Sequence, residues 1–306
     1  MNGKVVYLWF MTITFHIGYA KTATTFAQQY LYPAMENIGY AGRYVGDKEK
    51  IKAARWAYEL EELSESDIER VANDLKSQNH LNVLFSNEVL LRPHNIQKRL
   101  KVLKAFEKHA DQVRIILSIR NPVDLIFSRY VHDITRGIFP RYSLKRALDF
   151  TGVRECLWPT CGNSTMNKIL RKSPLRGGSC ICNQHKVKTI NVPYYELDSM
   201  KQLLDDVFSA EDIHYVITER LKSDFELEVS RLCAFLGSEI SAERLADIQS
   251  VTHVNQRNKT PLYMELKKVN SDNGVLMNLK NHFNVHNERF MAQTGFTELA
   301  KLGYIA

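Results

Sequence analysis

The stretch Phe10–Pro33, FMTITFHIGYAKTATTFAQQYLYP, decides which fold this chain can adopt. Its first part, Phe10–Ile17, is an apolar run of β-branched and aromatic residues that predicts a buried strand. Gly18 ends the run, a short polar loop follows at residues 19–25, and Phe26–Leu31 has the composition of a helix. A strand, a tight loop and a helix in this order direct backbone N–H groups and a helix N-terminus at one point, which favours an anion. The stretch therefore predicts a phosphate-binding loop.

The side chains of this loop suit a phosphate but do not form an ATP-type loop. Lys21 supplies a positive charge, and three threonines supply hydroxyl donors: Thr22, Thr24 and Thr25. The ATP-type pattern G-x-x-x-x-G-K-[ST] requires both glycines for its backbone cradle. Phe15 and Ala20 occupy those two positions, so only the Lys-Thr pair matches.

A second group of residues with phosphate-binding chemistry follows the strand predicted at Val113–Ile119. Asn121 and Pro122 are typical of a helix N-cap and of the first helical position. Arg120 is therefore expected at the carboxyl end of the strand, where ligands gather in parallel sheets. Ser128 lies two helical turns beyond the cap, on the same face. An arginine and a serine so placed can converge on one phosphate.

Together the two motifs resemble those of sulfotransferases that use 3′-phosphoadenosine-5′-phosphosulfate (PAPS). His16–Thr25 is similar to the bacterial 5′-phosphosulfate loop H-I-G-x-x-K-T-[GA]-T-T, and Arg120–Ser128 is similar to the 3′-phosphate motif R-[ND]-P-x-D-x-x-x-S. The resemblance implies one α/β domain over residues 1–306, with a doubly wound, mostly parallel sheet of P-loop (nucleoside-triphosphate-hydrolase-like) type flanked by helices. It also implies PAPS as the co-substrate, adenosine 3′,5′-bisphosphate (PAP) as the product, and a hydroxyl or amine of a small-molecule or saccharide as the acceptor.

The resemblance also implies roles for individual residues. Lys21 would neutralise charge on the transferred group, and the loop would hold the 5′-phosphosulfate. Phe26 would stack on adenine, although it could equally be an ordinary core residue. Arg257 and Lys259 stand in a loop similar to one that closes over the cofactor, although such residues are often only solvated. The full set implied in cofactor binding is Ala20, Lys21, Thr22, Ala23, Thr24, Thr25, Phe26, Arg120, Ser128, Arg257 and Lys259.

An acceptor must lose a proton as it attacks, and three residues are candidates for the base. Glu88 comes first because it follows the predicted strand Leu81–Ser86, where members of the family often place a His or Glu. The alternative for Glu88 is a carboxylate that stabilises a helix N-terminus. His16 is the second candidate, with a structural role in an apolar strand as its alternative, and His94 is the third.

Two other functions stay open: a P-loop kinase acting on a small molecule, and a non-catalytic nucleotide-binding protein. A kinase of this type usually holds Mg²⁺ with an Asp at the end of such a strand, and here Arg120 occupies that end. A sulfuryl group carries less charge than a terminal phosphoryl group, so Lys21 and the hydroxyls can stabilise its transfer. No metal is therefore expected.

Composition narrows the class of partner. The 306 residues include 41 basic and 34 acidic side chains, a formal net charge of +7, which suits an anionic ligand but is too dispersed to indicate nucleic acid. The apolar run Val5–Tyr19 contains His16 and is shorter than the ~20 residues that a spanning helix needs, so no membrane is expected. Five cysteines and no recognisable secretory cleavage pattern favour a reduced, cytoplasmic protein. The oligomeric state is not indicated.

The remaining sequence predicts alternating strands and helices, which favour a parallel sheet. Strands are predicted at Leu81–Ser86, Val113–Ile119 and Ile213–Thr218, and a loop at Gly39–Gly46. Helices are predicted at Lys48–Asp74, His94–Lys108, Ser143–Phe150, Tyr194–Phe208, Leu221–Leu236 and Val275–Thr294. The first of them is predicted to break near Ser64–Asp67, where a serine N-cap starts a second segment.

Residues 151–193 are predicted to form a long insertion or lid loop that contains most of the cysteines. These are Cys156, Cys161, Cys180 and Cys182, with His185 nearby. Their spacing departs from the usual zinc-binding pairs. Free thiols or a disulfide are therefore favoured over zinc, and Trp158 is a candidate contact for the acceptor because this region commonly covers it in the family.

Overall fold

The fold is organised by a parallel sheet. The structure, a computed structural model, describes residues 11–42, 54–77, 80–93, 95–135, 144–149, 179–181, 188–251 and 261–305. The described strands are β1 (Thr12–Gly18), β2 (Ile38–Tyr40), β3 (Asn82–Ser86), β4 (Gln112–Ile119), β5 (Leu148–Asp149), β6 (Ser179–Ile181), β7 (Lys188–Asn191) and β8 (Ile213–Ile217). Five of them form one parallel sheet in the order β2-β3-β1-β4-β8. The predicted α/β fold with a mostly parallel sheet is confirmed.

The strand order identifies the edge of the sheet where a ligand is expected. β1 lies between β3 and β4. The chain first builds the β3–β2 side and then crosses to β4 and β8, which is a doubly wound arrangement. In open parallel sheets, ligands bind at the carboxyl ends of the strands where the order reverses. That end of β1 is Gly18, where the predicted phosphate loop begins.

The central strands are buried along their length, as strands covered on both faces must be. All seven residues of β1 are buried. Phe15 of β1 contacts the rings of Trp56 and Phe106 at centroid distances of 6.2 and 5.1 Å. These packed rings fix the strand that carries the loop.

The described α-helices follow the strands, and most of the predicted ones have shorter bounds than expected. The described helices are α1 (Thr24–Phe26), α2 (Glu65–Lys76), α3 (Ile96–Ala105), α4 (Pro122–Thr135), α5 (Leu144–Ala147), α6 (Leu197–Asp205), α7 (Arg220–Ser223), α8 (Phe225–Leu236), α9 (Ala242–Val251), α10 (Pro261–Asp272) and α11 (Val275–Thr294). The helices at Ala242–Val251 and Pro261–Asp272 were not predicted. Ser64 caps α2 in a capping box with Asp67, which confirms the predicted serine cap. α11 has the predicted bounds.

Several local predictions are wrong. Ile38–Tyr40 forms strand β2, so the predicted loop at Gly39–Gly46 begins with a paired edge strand. The predicted helix Leu221–Leu236 is interrupted at Asp224, whose φ of −150° is not helical. The predicted helix Ser143–Phe150 is helical only at α5 and continues as β5. Within the predicted lid loop, β6 and β7 pair as an antiparallel ladder. In the first half of the predicted helix Lys48–Asp74, Ala54–Tyr58 and Leu60–Glu62 form 3₁₀ turns and not α-helix.

The chain divides into two compact units, one within Met1–Ile119 and Asp205–His253 and the other within Arg120–Leu204 and Val254–Ala306. The first unit contains the five-stranded sheet. In the second, α4 packs against α10 and α11, and the side-chain amides of Asn121 and Asn287 donate to the carbonyl oxygens of Gly303 and Tyr304, each at 2.6 Å. The prediction of one domain over the whole chain stays a prediction.

None of the helices within the described ranges combines the length and the apolar character needed to cross a membrane.

Candidate active site

The loop after β1 has a strained backbone. Lys21 and Ala23 adopt positive φ angles of 81° and 58°, a region that non-glycine residues rarely occupy. The Thr22 hydroxyl donates to the Tyr19 carbonyl oxygen at 2.6 Å and so holds the turn closed. Alternation of left-handed and right-handed residues is the backbone form that creates anion-binding concavities. In the loop predicted to bind phosphate, the left-handed Ala23 is followed directly by the helical Thr24, which gives one such step.

Gly18 is the residue that lets the loop approach the sheet so closely. A Cβ atom at this position would lie 3.1 Å from Ser118 Cβ, 3.3 Å from Thr22 Oγ1 and 3.4 Å from Thr24 Cγ2. Gly18 is paired with Ser118 in the β1–β4 register. A Cβ atom at position 18 would therefore force its neighbours in the loop and in β4 to shift by a few tenths of an ångström.

His16 is held between two serines from the neighbouring strands. Its Nδ1 lies 2.6 Å from Ser86 Oγ and its Nε2 lies 2.7 Å from Ser118 Oγ, and the side chain is only 1% exposed. Burial lowers the pKa of His16 to about 3. The imidazole is therefore neutral near pH 7 with both nitrogens engaged, an environment that favours a structural role.

Glu88 lies next to the loop, as the family resemblance led us to expect. It is the first residue of a 3₁₀ turn, Glu88–Leu90, directly after β3 and the cap residue Asn87. Thr24 Oγ1 donates to Glu88 Oε2 at 3.1 Å. A partly buried carboxylate thus contacts a threonine of the phosphate loop. Its position at the start of a turn is also the one expected for a stabilising N-terminal carboxylate.

Other loop residues differ in their exposure. The Thr25 side chain is exposed, and Lys21 is partly buried. Phe26 is partly buried and contacts the rings of Tyr30 and Phe225 at centroid distances of 5.8 and 6.2 Å. Phe26 therefore packs at the edge of a core cluster while part of its surface stays accessible.

The motif Arg120–Ser128, which resembles a 3′-phosphate motif, lies in the second unit. Asn121 Oδ1 accepts a hydrogen bond from Val123 N at 3.0 Å, which confirms the predicted helix cap. Arg120 is 8% exposed, and Ser128 is partly buried on α4. Burial and the nearby Asp124 raise the pKa of Tyr263, and the charge of Arg120 opposes that shift. Arg120 is thus a neighbour of Tyr263 within this unit.

Some predicted site residues fall outside the described ranges. These are His94, Arg257, Lys259, Cys156, Cys161, Cys182, His185 and Trp158. Cys180 lies in β6.

Two features of the structure were missed in the sequence. The first is Gln28, whose side-chain amide donates to Ser86 Oγ at 3.1 Å, the same hydroxyl that contacts His16 Nδ1. A polar residue within a helix gives no signal of this contact. Glu196, His282 and His286 form a cluster in the second unit. The spacing His-x₃-His at 282–286 was a visible signal of one helical face.

A family model described as the sulfotransferase domain matches residues 13–294. The chain belongs to the sulfotransferase family. No curated protein matches the sequence.

Three similar solved structures are sulfotransferases. One is a sulfotransferase from Alicyclobacillus acidocaldarius, with 17% identity over 92% of this chain and 94% of that chain and a TM-score of 0.48. Mouse sulfotransferase SULT7A1 complexed with PAP has 14% identity, coverage of 82% and 69%, and a TM-score of 0.41. The sulfotransferase domain of the Synechococcus PCC 7002 olefin synthase has 17% identity, coverage of 84% and 86%, and a TM-score of 0.38.

Proposed function

We propose that this sulfotransferase transfers the sulfuryl group of PAPS to a hydroxyl or amine of a small-molecule or saccharide acceptor. The observation that carries the proposal is the contact between Thr24, in the loop that resembles a 5′-phosphosulfate loop, and Glu88. This contact brings a group that can accept a proton beside the loop expected to hold the donor. Both are needed at one reaction centre.

The donor would be held mainly by charge and by hydrogen-bond donors. The strained backbone of the loop supports binding of the 5′-phosphosulfate through its N–H groups, with the exposed Thr25 hydroxyl as a further donor. Lys21 would neutralise charge on the bridging and terminal oxygens as the bond breaks. Arg120 and Ser128 are proposed to hold the 3′-phosphate, with Arg257 and Lys259, and Phe26 to contact adenine with its accessible surface.

The chemical step would be an in-line displacement at sulfur. The acceptor oxygen or nitrogen forms a bond to sulfur while the bond from sulfur to the 5′-phosphate oxygen breaks, and PAP leaves. The acceptor proton passes to Glu88. Because Thr24 donates to Oε2 of Glu88, the other carboxylate oxygen, Oε1, is the natural acceptor for that proton.

Transfer assays with the purified protein test this proposal. Labelled PAPS is mixed with separate panels of phenols, alcohols, amines and saccharides, and both PAP release and labelled product are measured. We expect acceptor-dependent release of PAP that is strongly reduced in Lys21→Met, while the exposed control Lys101→Met behaves as wild type. ATP-dependent phosphorylation of an acceptor would indicate the kinase. PAP binding without transfer to any panel would indicate a non-catalytic binding protein.

A further inference from the structure

A cluster of metal-ligand side chains lies in the second unit, on residues that play no part in the proposed transfer. His282 and His286 stand one turn apart on α11, and Glu196 directly precedes α6. Their ligand atoms all lie within 4.8 Å of one another. His282 Nε2 is 3.0 Å from Glu196 Oε1, and His286 Nε2 is 3.5 Å from the same oxygen.

These spacings are close to those of a tetrahedral metal site. Zinc binds histidine nitrogen and carboxylate oxygen at about 2.0–2.2 Å, so neighbouring ligand atoms around it lie about 3.3–3.5 Å apart. The 3.5 Å distance from His286 Nε2 to Glu196 Oε1 falls in that range, and the 3.0 Å distance from His282 Nε2, which is also a hydrogen-bond length, is slightly shorter. Two histidines at i and i+4 on one helix are also a familiar way to present two metal ligands from one face.

The outer contacts hold these side chains in a ligating orientation. Asp198 Oδ1 lies 2.9 Å from His286 Nδ1, and a proton on that nitrogen leaves the lone pair of Nε2 facing Glu196. Ser199 Oγ donates to Glu196 Oε2 at 3.0 Å, which leaves Oε1 toward the histidines. Carboxylates that fix the far nitrogen of a ligating histidine are typical of metal sites.

We propose that Glu196, His282 and His286 bind a divalent transition-metal ion of the zinc class, with a fourth coordination position open to water. Two imidazoles and one carboxylate suit Zn²⁺, Co²⁺ or Ni²⁺. They suit Ca²⁺ and Mg²⁺ poorly, because those ions require shells of oxygen ligands.

The bound ion would tie the start of α6 to α11. α11 packs against α4, so the ion would stabilise the unit that carries Arg120 and Ser128. An ion that binds the folded chain and not the unfolded chain raises the melting temperature, and the rise grows with the logarithm of the free ion concentration above Kd. The expected effect of the ion is therefore on stability.

The test uses full-length protein freed of metal and carrying Cys156→Ser, Cys161→Ser, Cys180→Ser and Cys182→Ser, so that these four thiols cannot compete for the ion. Zn²⁺ binding is measured by calorimetry, and Co²⁺ binding by visible absorption. We expect one ion per chain and a melting temperature that rises with Zn²⁺. The visible spectrum of bound Co²⁺ should show the bands of an ion with a low coordination number and no charge-transfer band from a thiolate. His282→Gln and Glu196→Gln should each weaken Zn²⁺ affinity at least tenfold and remove the rise in melting temperature.

His80→Gln, an exposed histidine in the first unit, is the matched control and should bind Zn²⁺ as the parent does. Failure of the parent protein to bind Zn²⁺ or Co²⁺ at micromolar concentration overturns the proposal, whatever the variants do. Equal Zn²⁺ affinity in the parent and in a folded His282→Gln variant also overturns it.

Discussion

The hydroxyl of Thr24 donates to the carboxylate of Glu88 across 64 residues of sequence, at 3.1 Å. Thr24 begins α1 at the phosphate loop, and Glu88 begins the turn after β3. The two meet because β1 and β3 are paired in register, with His16 opposite Ser86. The pairing of these strands therefore sets the distance between the loop and the proposed base.

Replacing Glu88 with Gln should reduce turnover without weakening donor binding. The amide keeps the shape of the side chain and can still accept from Thr24, but it cannot take up a proton. We expect kcat to fall about 10²–10⁴-fold while calorimetric affinity for PAP stays unchanged. Glu69→Gln, an exposed acid on α2, is the control. Wild-type turnover by Glu88→Gln with the true acceptor would show that Glu88 only stabilises its turn.

Arg120 should distinguish PAP from ATP, because only PAP carries a 3′-phosphate. We expect Arg120→Ala to weaken PAP binding by roughly 1.5–3 kcal/mol, the scale of a hydrogen bond to a charged group. Ser128→Ala should weaken it less, and the exposed control Arg244→Ala should not. Since Arg120 is buried, melting curves must accompany the calorimetry. Equal affinities of the wild type for ATP and PAP would contradict this assignment.

Sulfuryl transfer should survive treatment with EDTA, because Lys21 and hydroxyl groups are proposed to supply the positive charge and the hydrogen-bond donors. Initial rates with and without chelator, measured well below the melting temperature, should agree. A loss of transfer that Mg²⁺ restores would instead support the kinase. If the cluster at Glu196 holds an ion, the chelator should lower the melting temperature while the initial rate stays the same.

Because His16 is buried in its neutral form, the free energy of unfolding should fall as the pH drops. Its folded pKa of about 3 lies below its ordinary value of 6.5, so the unfolded chain binds a proton that the folded chain does not. This contribution is complete above pH 6.5 and is lost between pH 6.5 and 3 at about 1.4 kcal/mol per pH unit, or about 2 kcal/mol by pH 5.

Urea unfolding of His16→Gln across pH 4–7.5 is the measurement. The variant should show a shallower decline than the wild type, whatever its stability at pH 7.5. His214→Gln should flatten the curve over a narrower range, because burial lowers the pKa of His214 only to about 4. An unchanged slope in His16→Gln would mean that His16 is not buried in its neutral form.

Local sequence patterns predicted the parts of the fold that depend on neighbours in the chain. The β-branched runs of β1 and β4, the cap at Ser64 and the cap at Asn121 all have signals within a few residues. β2 was missed because a three-residue edge strand containing Gly39 has too few residues to show a pattern.

The features that the sequence did not predict depend on contacts between residues far apart in the chain. The resemblance pointed to Glu88, but nothing near it in the sequence indicates Thr24 as its partner. The two serines that hold His16 lie 70 and 102 residues away from it. Such contacts are determined by strand pairing, which single-sequence periodicity does not give.

The turn after α1 is wider than an α-helical turn, and this has a consequence for insertions and deletions. Residues Ala27–Leu31 form a π-helix in which Tyr32 N bonds to Ala27 O, and the Tyr32 ring then packs on His16 at a centroid distance of 5.1 Å. Deleting one residue between 28 and 31 would restore an ordinary turn and rotate Tyr32 by about 100° around the helix. The length of this segment is therefore constrained as strictly as its composition: a homologue or designed variant one residue shorter here would need a different side chain to cover His16.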